Sequence, residues 1–306
     1  MVDYFGVGYG MDIKEAIARL AASDDHRVIE RLQIPTPIEA PLPAGTVKRG
    51  VYLDIETTGL YVEEDEIIEL ALVPFAFDES ANIIGSYEPL NMLQEPAAGA
   101  ISEEITTLTG ISFEEVRGQA IDWQKVRDVI VDAAIIIAHN SAFDRPFLEK
   151  VESMFELKAW GCSLSDIDWR GHGFESGKLE YLALKSGFFF EGHRATIDCY
   201  AGLRLLSGEL GETGSTALSY LLESARQRTC RIWAENAPFD FKDHLKKRGY
   251  RWNDGSDSRP RAWYVEIQEP DVEAELEWLR SDIYQDPEAA PVVTHFNAFS
   301  RYSNRV

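Results

Sequence analysis

Two acidic residues separated by a single residue end an apolar run early in the chain. Asp54 and Glu56 follow Val51, Tyr52 and Leu53. Side chains of a β-strand alternate between its two faces, so this spacing predicts both carboxylates on the same side of one strand. Two like charges held that close repel each other unless a cation neutralises them. The pair is either the solvated end of a strand or part of a metal site, and these residues alone leave both interpretations open.

Two further segments carry an acid near the start of a predicted helix. The apolar residues 134–138 predict a buried strand, and residues 139–143 then lead to Asp144. Further along, His193 precedes Asp198 by five residues, and an apolar helical pattern follows. Acids and histidines therefore recur in separate segments, each placed at the end of a strand or the beginning of a helix.

In type, order and spacing, these segments resemble the DEDDh 3′–5′ exonucleases, the family of the proofreading epsilon subunit of bacterial DNA polymerase III. A sister group has tyrosine four residues before the last acid, and this chain has Arg194 there. The resemblance covers residues 50–206 and implies a ribonuclease H-like α/β fold with a mixed sheet flanked by helices. The positions that match the family's acids and its histidine are Asp54, Glu56, Asp144, His193 and Asp198.

The chemistry of phosphodiester hydrolysis accounts for these residue types. The enzyme must neutralise the phosphate, produce a nucleophile and stabilise the leaving oxygen, and two divalent ions about 3.5–4 Å apart can provide all three. Mg²⁺ and Mn²⁺ prefer oxygen ligands, so the four acids are the expected ligands for two ions per site. His193 is expected to take the proton from the attacking water, since an imidazole has an unperturbed pKa of about 6.5. A lone histidine before a helix is more often structural, so this role depends on the neighbouring motifs.

The resemblance also implies contacts to the terminal nucleotide. The turn after the first strand is expected to let backbone amides approach it, and Leu60, Phe143 and residues 108–110 are candidates to hold the last base. Core packing is an equally good interpretation of Leu60 and Phe143, and we expect His139 to orient the loop around Asp144. The candidate substrate-binding residues are Thr57, Thr58, Gly59, Leu60, Leu108, Thr109, Asn140 and Phe143.

The composition is that of a globular protein with a strong acidic excess. The chain has 306 residues, 45% apolar and 27% charged, and a formal net charge of −22. This length predicts one large domain and an accessory one. Phosphate binding depends on lysine and arginine, so the charge argues against a protein that coats long duplexes. It does not argue against an exonuclease that contacts a few terminal nucleotides.

Cysteine usage and hydropathy predict a cytoplasmic protein without a membrane partner. Cys162, Cys199 and Cys230 show no metal-ligand spacing along the sequence and cannot all pair, which indicates a reducing compartment. Charged residues interrupt any apolar run near the start, as Asp3 and Asp12 do. No stretch approaches the ~20 apolar residues of a membrane span.

Three regions are predicted along the chain. Residues 1–48 comprise a helical segment, expected from Met11 to Leu32, and a proline-rich linker. Residues 49–210 form the exonuclease domain. After a break rich in Gly, Ser, Thr and Glu, residues 211–306 form a small α+β domain that is basic and rich in tryptophan, with a predicted order βαββαβ.

This last region mixes cations with aromatic residues. From Leu221 to Arg261 there are ten Lys and Arg against six Asp and Glu, a charge near +4 that leaves about −26 for the remainder. Such a mixture can hold single strands by charge and stacking. Alternatively, the tryptophans belong to a core and the lysines only keep the surface soluble. The candidate residues for a nucleic-acid grip are Lys242, Lys246, Lys247, Arg248, Arg251 and Trp252.

The favoured function is metal-dependent removal of nucleotides from single-stranded or frayed 3′ ends of DNA, releasing nucleoside 5′-monophosphates. Two alternatives remain open at the level of the sequence. One is a subunit of a polymerase or repair complex whose main role is protein binding. The other is an exoribonuclease that trims RNA 3′ ends, since discrimination depends on contacts to the 2′ position that the sequence does not locate.

Overall fold

The structure is a computed structural model that describes residues 12–39, 47–211, 214–256 and 259–305, and the statements below concern these residues. The predicted proline-rich linker lies partly outside them. Pro41 and Pro43 fall in an undescribed stretch, whereas Pro35 and Pro37 lie in a segment that is neither helix nor strand.

The strands form one large sheet, one small sheet and two short pairs. The large sheet has the order β4-β3-β2-β6-β7, with β5 also paired to β3, and the small sheet has the order β12-β13-β11-β14. In chain order the strands are β1 (Glu30–Arg31), β2 (Lys48–Thr57), β3 (Ile67–Phe77), β4 (Ile83–Ser86), β5 (Leu90–Leu93), β6 (Ile135–Ala138), β7 (Trp160–Cys162), β8 (Phe188–Phe189), β9 (Glu209–Leu210), β10 (Ser215–Thr216), β11 (Thr229–Ala234), β12 (Arg251–Trp252), β13 (Trp263–Gln268) and β14 (Val292–Phe296).

Helices cover the large sheet and one face of the small sheet. Short 3₁₀ segments occur at Ser153–Leu157, Phe239–Phe241 and Glu269–Asp271, and Leu279–Tyr284 is π-helical. No helix among the described residues is long and apolar enough to cross a membrane. The α-helices are α1 (Ile13–Ala21), α2 (Glu103–Thr109), α3 (Phe113–Val116), α4 (Trp123–Ile130), α5 (Ser141–Val151), α6 (Leu179–Lys185), α7 (Ala195–Ser207), α8 (Ala217–Arg226), α9 (Lys242–Lys247) and α10 (Val272–Trp278).

The large sheet is mixed, as predicted for a ribonuclease H-like fold. β2 pairs antiparallel with β3 and parallel with β6, and β6 pairs parallel with β7. All residues of β3 are buried. A continuous apolar run of this kind is typical of a strand covered on both faces. The predicted α/β class with a mixed sheet flanked by helices is therefore confirmed.

The alternation of side chains along β2 separates two cores and points the acids to one of them. Val51 and Leu53 pack into a core shared with α4 and α5. Tyr52 points the other way, into a core shared with α6, α7 and α8. Asp54 and Glu56 lie on the same side of the strand as Tyr52, because the side-chain period of a strand is two residues. They therefore face α7.

The N-terminal helix is shorter than predicted. It ends at Ala21 rather than at Leu32, and none of its described residues is buried. After a turn, Glu30 and Arg31 pair in parallel with Phe188 and Phe189 of β8. Strand hydrogen bonds formed far along the chain override a helical pattern that is local and weak here.

The last region folds as the predicted βαββαβ unit. β11 lies between β13 and β14, and all neighbouring pairs are antiparallel. This is the split βαβ arrangement, in which both helices pack on one face of a four-stranded sheet. Leu245 of α9 and Leu276 of α10 share a core with Ile232 and Val265 on that face.

Two segments beyond residue 210 pack onto the large sheet. Leu218 and Leu221 of α8 belong to the same core as Tyr52. The C-terminal segment 297–305 docks on α5, where the buried Arg145 donates hydrogen bonds to the carbonyl oxygens of Phe299 (2.6 Å) and Arg301 (2.6 Å). The division at residue 210 stays a prediction, and these contacts join the regions on its two sides.

Candidate active site

Three of the predicted acids lie together at the carboxyl end of β2. Oxygens of Asp54, Glu56 and Asp198 all lie within 4.8 Å of one another. Asp198 reaches the strand from the first turn of α7, which packs across β2 and β3. Carboxylates from a strand and a helix therefore converge on one point, as the spacing of the sequence predicts.

The fourth acid, Asp144, approaches the same point from α5. It is 2% exposed, and burial raises its pKa to about 8, against hydrogen bonds with its own backbone and with that of Ile55. Burial is the main cause that raises the pKa of Asp54 well above its usual value, and the negative charge of Asp144 is the next. The negative charge of Asp144 therefore makes it harder for Asp54 to ionise.

The remaining two acids are also hard to ionise in the protein alone. Burial, followed by the negative charges of Asp198 and Glu69, raises the pKa of Glu56 to about 8, although Arg194 opposes the shift. Burial likewise raises the pKa of Asp198 to about 7, although backbone hydrogen bonds oppose the shift. The site therefore holds more negative charge than its own cations compensate, and a bound divalent ion would correct this imbalance.

The donor set suits a hard divalent ion. All four side chains are carboxylates, which are ligands that Mg²⁺ and Mn²⁺ prefer. A pocket beside the acids is open to the surface, and its walls include Asp54, His139, Lys178, Glu180 and Asp198. Ions held here would lie at a surface that a phosphate can reach.

Backbone geometry aims peptide groups at Asp198. His193 has a φ of 65°, a left-handed conformation uncommon for residues other than glycine. Its backbone and that of Arg194 both hydrogen-bond the Asp198 carboxylate, with Arg194 N–H at 3.0 Å from Oδ2. These two backbone hydrogen bonds explain the unusual conformation, because they fix the Asp198 carboxylate at the start of α7.

Asn140 shows the same feature in front of α5. It precedes the helix with a φ of 81°, and its side chain makes no capping hydrogen bond within the described residues. The two helices that carry acids thus both begin after a left-handed residue. The side chain of Asn140 is exposed, consistent with its predicted role as a substrate contact.

The two histidines near the acids differ in environment. His193 is exposed at the edge of the site, two residues before the start of α7. His139 is held inside, with Nδ1 2.9 Å from the Ser163 hydroxyl, and burial lowers its pKa to about 4. His139 is therefore neutral near pH 7. Its hydrogen bond to Ser163 fits the predicted role of orienting the loop before α5.

The turn after β2 is tightly built. Thr57 Oγ1 donates to the Gly59 carbonyl oxygen (2.5 Å), and Thr58 Oγ1 donates to Asp65 (3.1 Å). A Cβ at Gly59 would lie 2.5 Å from the Asp65 carboxylate, so only glycine fits beside that side chain. The predicted role of these residues in shaping the turn agrees with the contacts, while contact with a nucleotide stays a prediction.

The other candidate substrate residues divide into exposed and packed side chains. Leu60 is 75% exposed and Leu108 is 52% exposed, so both are free of the core. Thr109 is buried and its hydroxyl donates to the Ile105 carbonyl oxygen, which is a structural contact. Phe143 is partly buried and lies 5.1 Å from the Phe147 ring, so it contributes to packing whatever its other role.

One residue that the sequence analysis missed holds the site together. Glu69 lies fully buried in β3, opposite Glu56 in the strand ladder. Its carboxylate accepts hydrogen bonds from Ala195 N–H (3.1 Å) and from the Asn91 amide (2.9 Å), and it pairs with Arg194 (3.4 Å). An acid inside an otherwise apolar strand was the available signal, because buried charges need specific partners.

The candidate grip residues do not form one surface. The Arg248 guanidinium pairs with Glu275 (2.9 Å) and lies 4.2 Å from the Trp278 ring, so it is part of the packing between helices α9 and α10. Lys242 lies over Phe239 and Lys246 over Trp263. Lys247 is exposed on α9, and Trp252 is 48% exposed against Trp263. Arg251 points to the opposite face of the small sheet, beside Tyr264.

Comparison with known proteins bears on the region that carries these acids. The model of the RNase T family, described as exonuclease, matches residues 51–206. The PolC-type DNA polymerase III of Mycoplasma pneumoniae is 28% identical over 186 residues, which are 58% of this chain and 12% of that protein. The corresponding polymerase of Halalkalibacterium halodurans is 35% identical over 150 residues, 48% of this chain and 10% of that protein. The chain thus spans about a tenth of the length of these relatives.

Solved structures of exonucleases show distant likeness. Escherichia coli exonuclease I in complex with a 5cy-dA13 oligonucleotide is 15% identical with a TM-score of 0.48, over 83% of this chain and 66% of that chain. A 3′-exonuclease that recognises a histone mRNA stem-loop is 16% identical with a TM-score of 0.40, over 52% of this chain and 79% of that chain.

Proposed function

Because the chain belongs to the RNase T exonuclease family and is therefore a nuclease, we propose that it is a metal-dependent 3′–5′ exonuclease that releases nucleoside 5′-monophosphates from DNA. The observation that supports this proposal most is the convergence of Asp54, Glu56 and Asp198 within 4.8 Å at the end of β2. The negative charge of Asp144 raises the pKa of Asp54, which is one of these three acids. Four carboxylates with raised pKa values are poorly suited to a purely structural role, because each costs free energy when it ionises in the protein alone.

The four acids would hold the ions, with two Mg²⁺ or Mn²⁺ per site. Bound there, the ions would neutralise the scissile phosphate, lower the pKa of the attacking water and stabilise the leaving oxygen. The hydrogen bonds from residues 193 and 194 keep the Asp198 carboxylate turned toward β2. The protein's contribution is therefore a fixed cage of oxygens on three separate elements.

His193 would take the proton of the attacking water. His193 is exposed two residues before α7, and its backbone hydrogen-bonds the Asp198 carboxylate. His139 is a poor candidate for this role, because burial lowers its pKa to about 4 and its Nδ1 is engaged by Ser163. A general base of this kind contributes about 10²–10⁴-fold to the rate.

The relatives favour DNA over RNA as substrate. Both polymerases described above are DNA polymerases. Single-stranded or frayed 3′ ends are the expected substrate. Because these relatives are DNA polymerases, polymerase or repair proteins are the expected partners.

A panel of end-labelled oligonucleotides tests the proposal. With Mg²⁺ or Mn²⁺, 5′-labelled single-stranded DNA should give a ladder of progressively shorter labelled products, and 3′-labelled DNA should release labelled mononucleotide at once. EDTA should stop both reactions. Duplex DNA, a mismatched 3′ end and RNA of the same sequence complete the panel. Early release of labelled mononucleotide from the 5′ label would contradict the proposed 3′–5′ direction. Preferential cleavage of the RNA would contradict the proposal that DNA is the substrate.

A further inference from the structure

A cleft of about 430 Å³ lies between the large sheet and the small one. Its wall on the nuclease side includes Asn140, Ala142 and Ser165, and the tail residue Tyr302 closes it. On the other side it is lined by Tyr264 and its neighbours on the small sheet. Residues of the docked tail therefore form part of the cleft wall.

The small sheet lines the cleft with the face opposite to α9 and α10, and no helix among the described residues packs there. Ile232 and Val265 point to the α9 and α10 side. Strand residues of the opposite parity, such as Arg231 and Tyr264, therefore point into the cleft. Arg231 lies over the Tyr264 and Phe296 rings at 5.4 and 4.8 Å and pairs with Glu266. Four-stranded sheets of this βαββαβ order can present aromatic residues on this face to stack with bases.

The cleft is positive on a strongly negative protein. Four arginines against two carboxylates give it a net charge of two positive units, whereas the whole chain carries −22. Two polar atoms in its lining, Nε of the buried Arg301 and Oε1 of Gln268, lack a hydrogen-bond partner among the described residues. The charged lining residues are Asp166, Arg231, Arg251, Arg259, Glu266 and Arg301.

The cleft and the catalytic pocket share a wall. His139 lines the pocket beside the acids, and the next residue, Asn140, lines the cleft. The same holds for Leu164 and Ser165, which are neighbours in the chain but line the pocket and the cleft respectively. A strand that occupies the cleft therefore has a short, direct route to the carboxylates.

We propose that this cleft binds the single-stranded nucleic acid whose 3′ end lies in the catalytic pocket, an inference that rests on the proposed nuclease function. Arg251, with 66% of its side chain exposed and only a 3.8 Å pair to Glu266, is the phosphate contact. Tyr264, stacked beneath it at 5.3 Å, is the platform for a base. The basic helix α9 packs on the other face of the sheet and takes no part.

A salt series on catalytically inactive Asp54→Asn protein tests this assignment with a single-stranded DNA oligonucleotide. Each phosphate contact on a single strand contributes about 0.7 to the slope of log affinity against log salt concentration. Arg251→Ala should therefore lower the slope by roughly that amount and weaken binding several-fold at low salt. Arg228 is the matched control, because it is 69% exposed and pairs with Glu269 at 3.9 Å but does not line the cleft. Arg228→Ala should leave the slope unchanged.

A minimal substrate distinguishes a failure of the cleft assignment from a failure of the proposed nuclease function. The p-nitrophenyl ester of thymidine 5′-monophosphate fits the catalytic pocket alone. In an otherwise wild-type background, Arg251→Ala should raise the KM for the oligonucleotide, whereas Arg228→Ala should leave the hydrolysis of both substrates unchanged. Equal slopes and equal oligonucleotide KM values for Arg251→Ala and Arg228→Ala would overturn the cleft assignment. Failure of the wild-type protein to hydrolyse either substrate would instead overturn the proposed function.

A second, independent cluster lies at the end of the small sheet. Cys230 and His295 are directly paired across β11 and β14, and Glu269 follows β13 beside them. Cys230 Sγ lies 3.2 Å from His295 Nδ1, which lies 3.5 Å from Glu269 Oε1. A tetrahedral Zn²⁺ with usual bond lengths would place sulfur and nitrogen about 3.5 Å apart, and nitrogen and oxygen about 3.4 Å apart.

We infer that these three side chains form a Zn²⁺ site with the fourth position open to water. The ligand types are those of zinc, and all three ligand atoms lie within 4.8 Å of one another. The ion would tie β11, β14 and the end of β13 together. Cys230 loses its proton on binding, and the surrounding water takes it.

Cobalt substitution tests this site, because a sulfur ligand gives Co²⁺ a near-ultraviolet charge-transfer band that carboxylate sites lack. One equivalent of Co²⁺ should produce the band, and Zn²⁺ should abolish it by displacement. Cys230→Ser and His295→Ala should lose the band. His244→Ala, a change at an exposed histidine of the same unit, should keep it. Absence of the band in wild-type protein, or its survival in Cys230→Ser, would overturn the assignment.

Discussion

The Glu69 carboxylate accepts a hydrogen bond of 3.1 Å from the backbone N–H of Ala195, the first residue of α7. Glu69 belongs to β3 and stands opposite Glu56 in the ladder. One buried acid therefore fixes the start of the helix that carries Asp198 to the strand that pairs with β2. The position of Asp198 relative to Glu56 is set by this contact.

Replacing Glu69 should disturb the site without removing a proposed ligand. Glu69→Ala should destabilise the protein by about 2–4 kcal/mol, because it leaves the buried N–H of Ala195 without an acceptor and removes the partner of Asn91 and Arg194. Turnover should fall with it, since Asp198 loses its support. Glu69→Gln keeps the shape and one acceptor and should restore much of both. Urea unfolding and kcat with Mg²⁺ measure the two effects, and a kcat unchanged in folded Glu69→Ala would contradict the positioning role.

His193→Ala should lower kcat by about 10²–10⁴ while metal affinity stays the same, because the carboxylates remain. The dependence of the rate on Mg²⁺ concentration separates the two quantities. His139→Ala is the informative comparison, since its ring contacts Ser163 and its loss should act mainly through stability. Should the His193 variant need more Mg²⁺ yet reach the normal rate, His193 would be a ligand rather than a base.

The stability of the metal-free protein should fall as pH rises. Burial raises the pKa of Glu56 to about 8 and that of Asp198 to about 7. Between the usual carboxyl pKa near 4 and these values, the folded protein holds protons that the unfolded chain has released, so rising pH favours unfolding. The loss should begin above about pH 4 and level off above about pH 8, on the order of a few kcal/mol.

Thermal unfolding in EDTA at pH 5 and pH 8.5 measures this loss. Glu56→Gln removes one of the groups concerned, so the fall in Tm between the two pH values should be smaller in the variant. Mg²⁺ should raise the Tm of the wild type more at pH 8.5 than at pH 5. An equal fall in both proteins would show that Glu56 ionises normally in the folded state.

Local patterns predicted most of the nuclease region. The alternation of β2 places Asp54 and Glu56 on one side, and the apolar run of β6 marks the buried strand before α5. Clear helical patterns follow Asp144 and Asp198, so the sequence also predicted that both acids lie near the start of a helix. These features depend on neighbours in the sequence, which is why they could be found there.

What could not be predicted depends on distant contacts. β8 is two residues long and exists because β1 pairs with it. The residues after Ala21 continue a helical pattern in the sequence, but the helix ends there and Glu30 and Arg31 form the same pairing instead. Cys230 and His295 are 65 residues apart and meet only through sheet register. Likewise, the basic residues of the last region read as one cluster in sequence, but Arg248 and Arg251 point to opposite faces of the small sheet.

The docking of the tail gives a further prediction. Arg145 is fully buried, pairs with Glu149 (2.6 Å) and holds the carbonyl oxygens of Phe299 and Arg301. Arg145→Ala should cost about 3–5 kcal/mol, because it leaves Glu149 and these acceptors without their buried partner. Arg305→Ala removes a half-exposed partner of the same Glu149 and should cost at most about 1 kcal/mol. Similar costs for the two variants, measured by urea unfolding, would show that the tail contact contributes little.

Hydrolysis by Asp54→Asn, compared with wild type over a Mg²⁺ and Mn²⁺ titration, tests the central claim most directly. The change removes one charge from the carboxylate cage and alters its volume little, and circular dichroism checks that the fold is kept. For Asp54→Asn we predict a loss of several orders of magnitude in the rate of nucleotide release from single-stranded DNA at every metal concentration. Wild-type protein should lose activity in EDTA and regain it with added metal. Near-wild-type activity in folded Asp54→Asn protein would contradict the assignment of this cluster as the catalytic metal site.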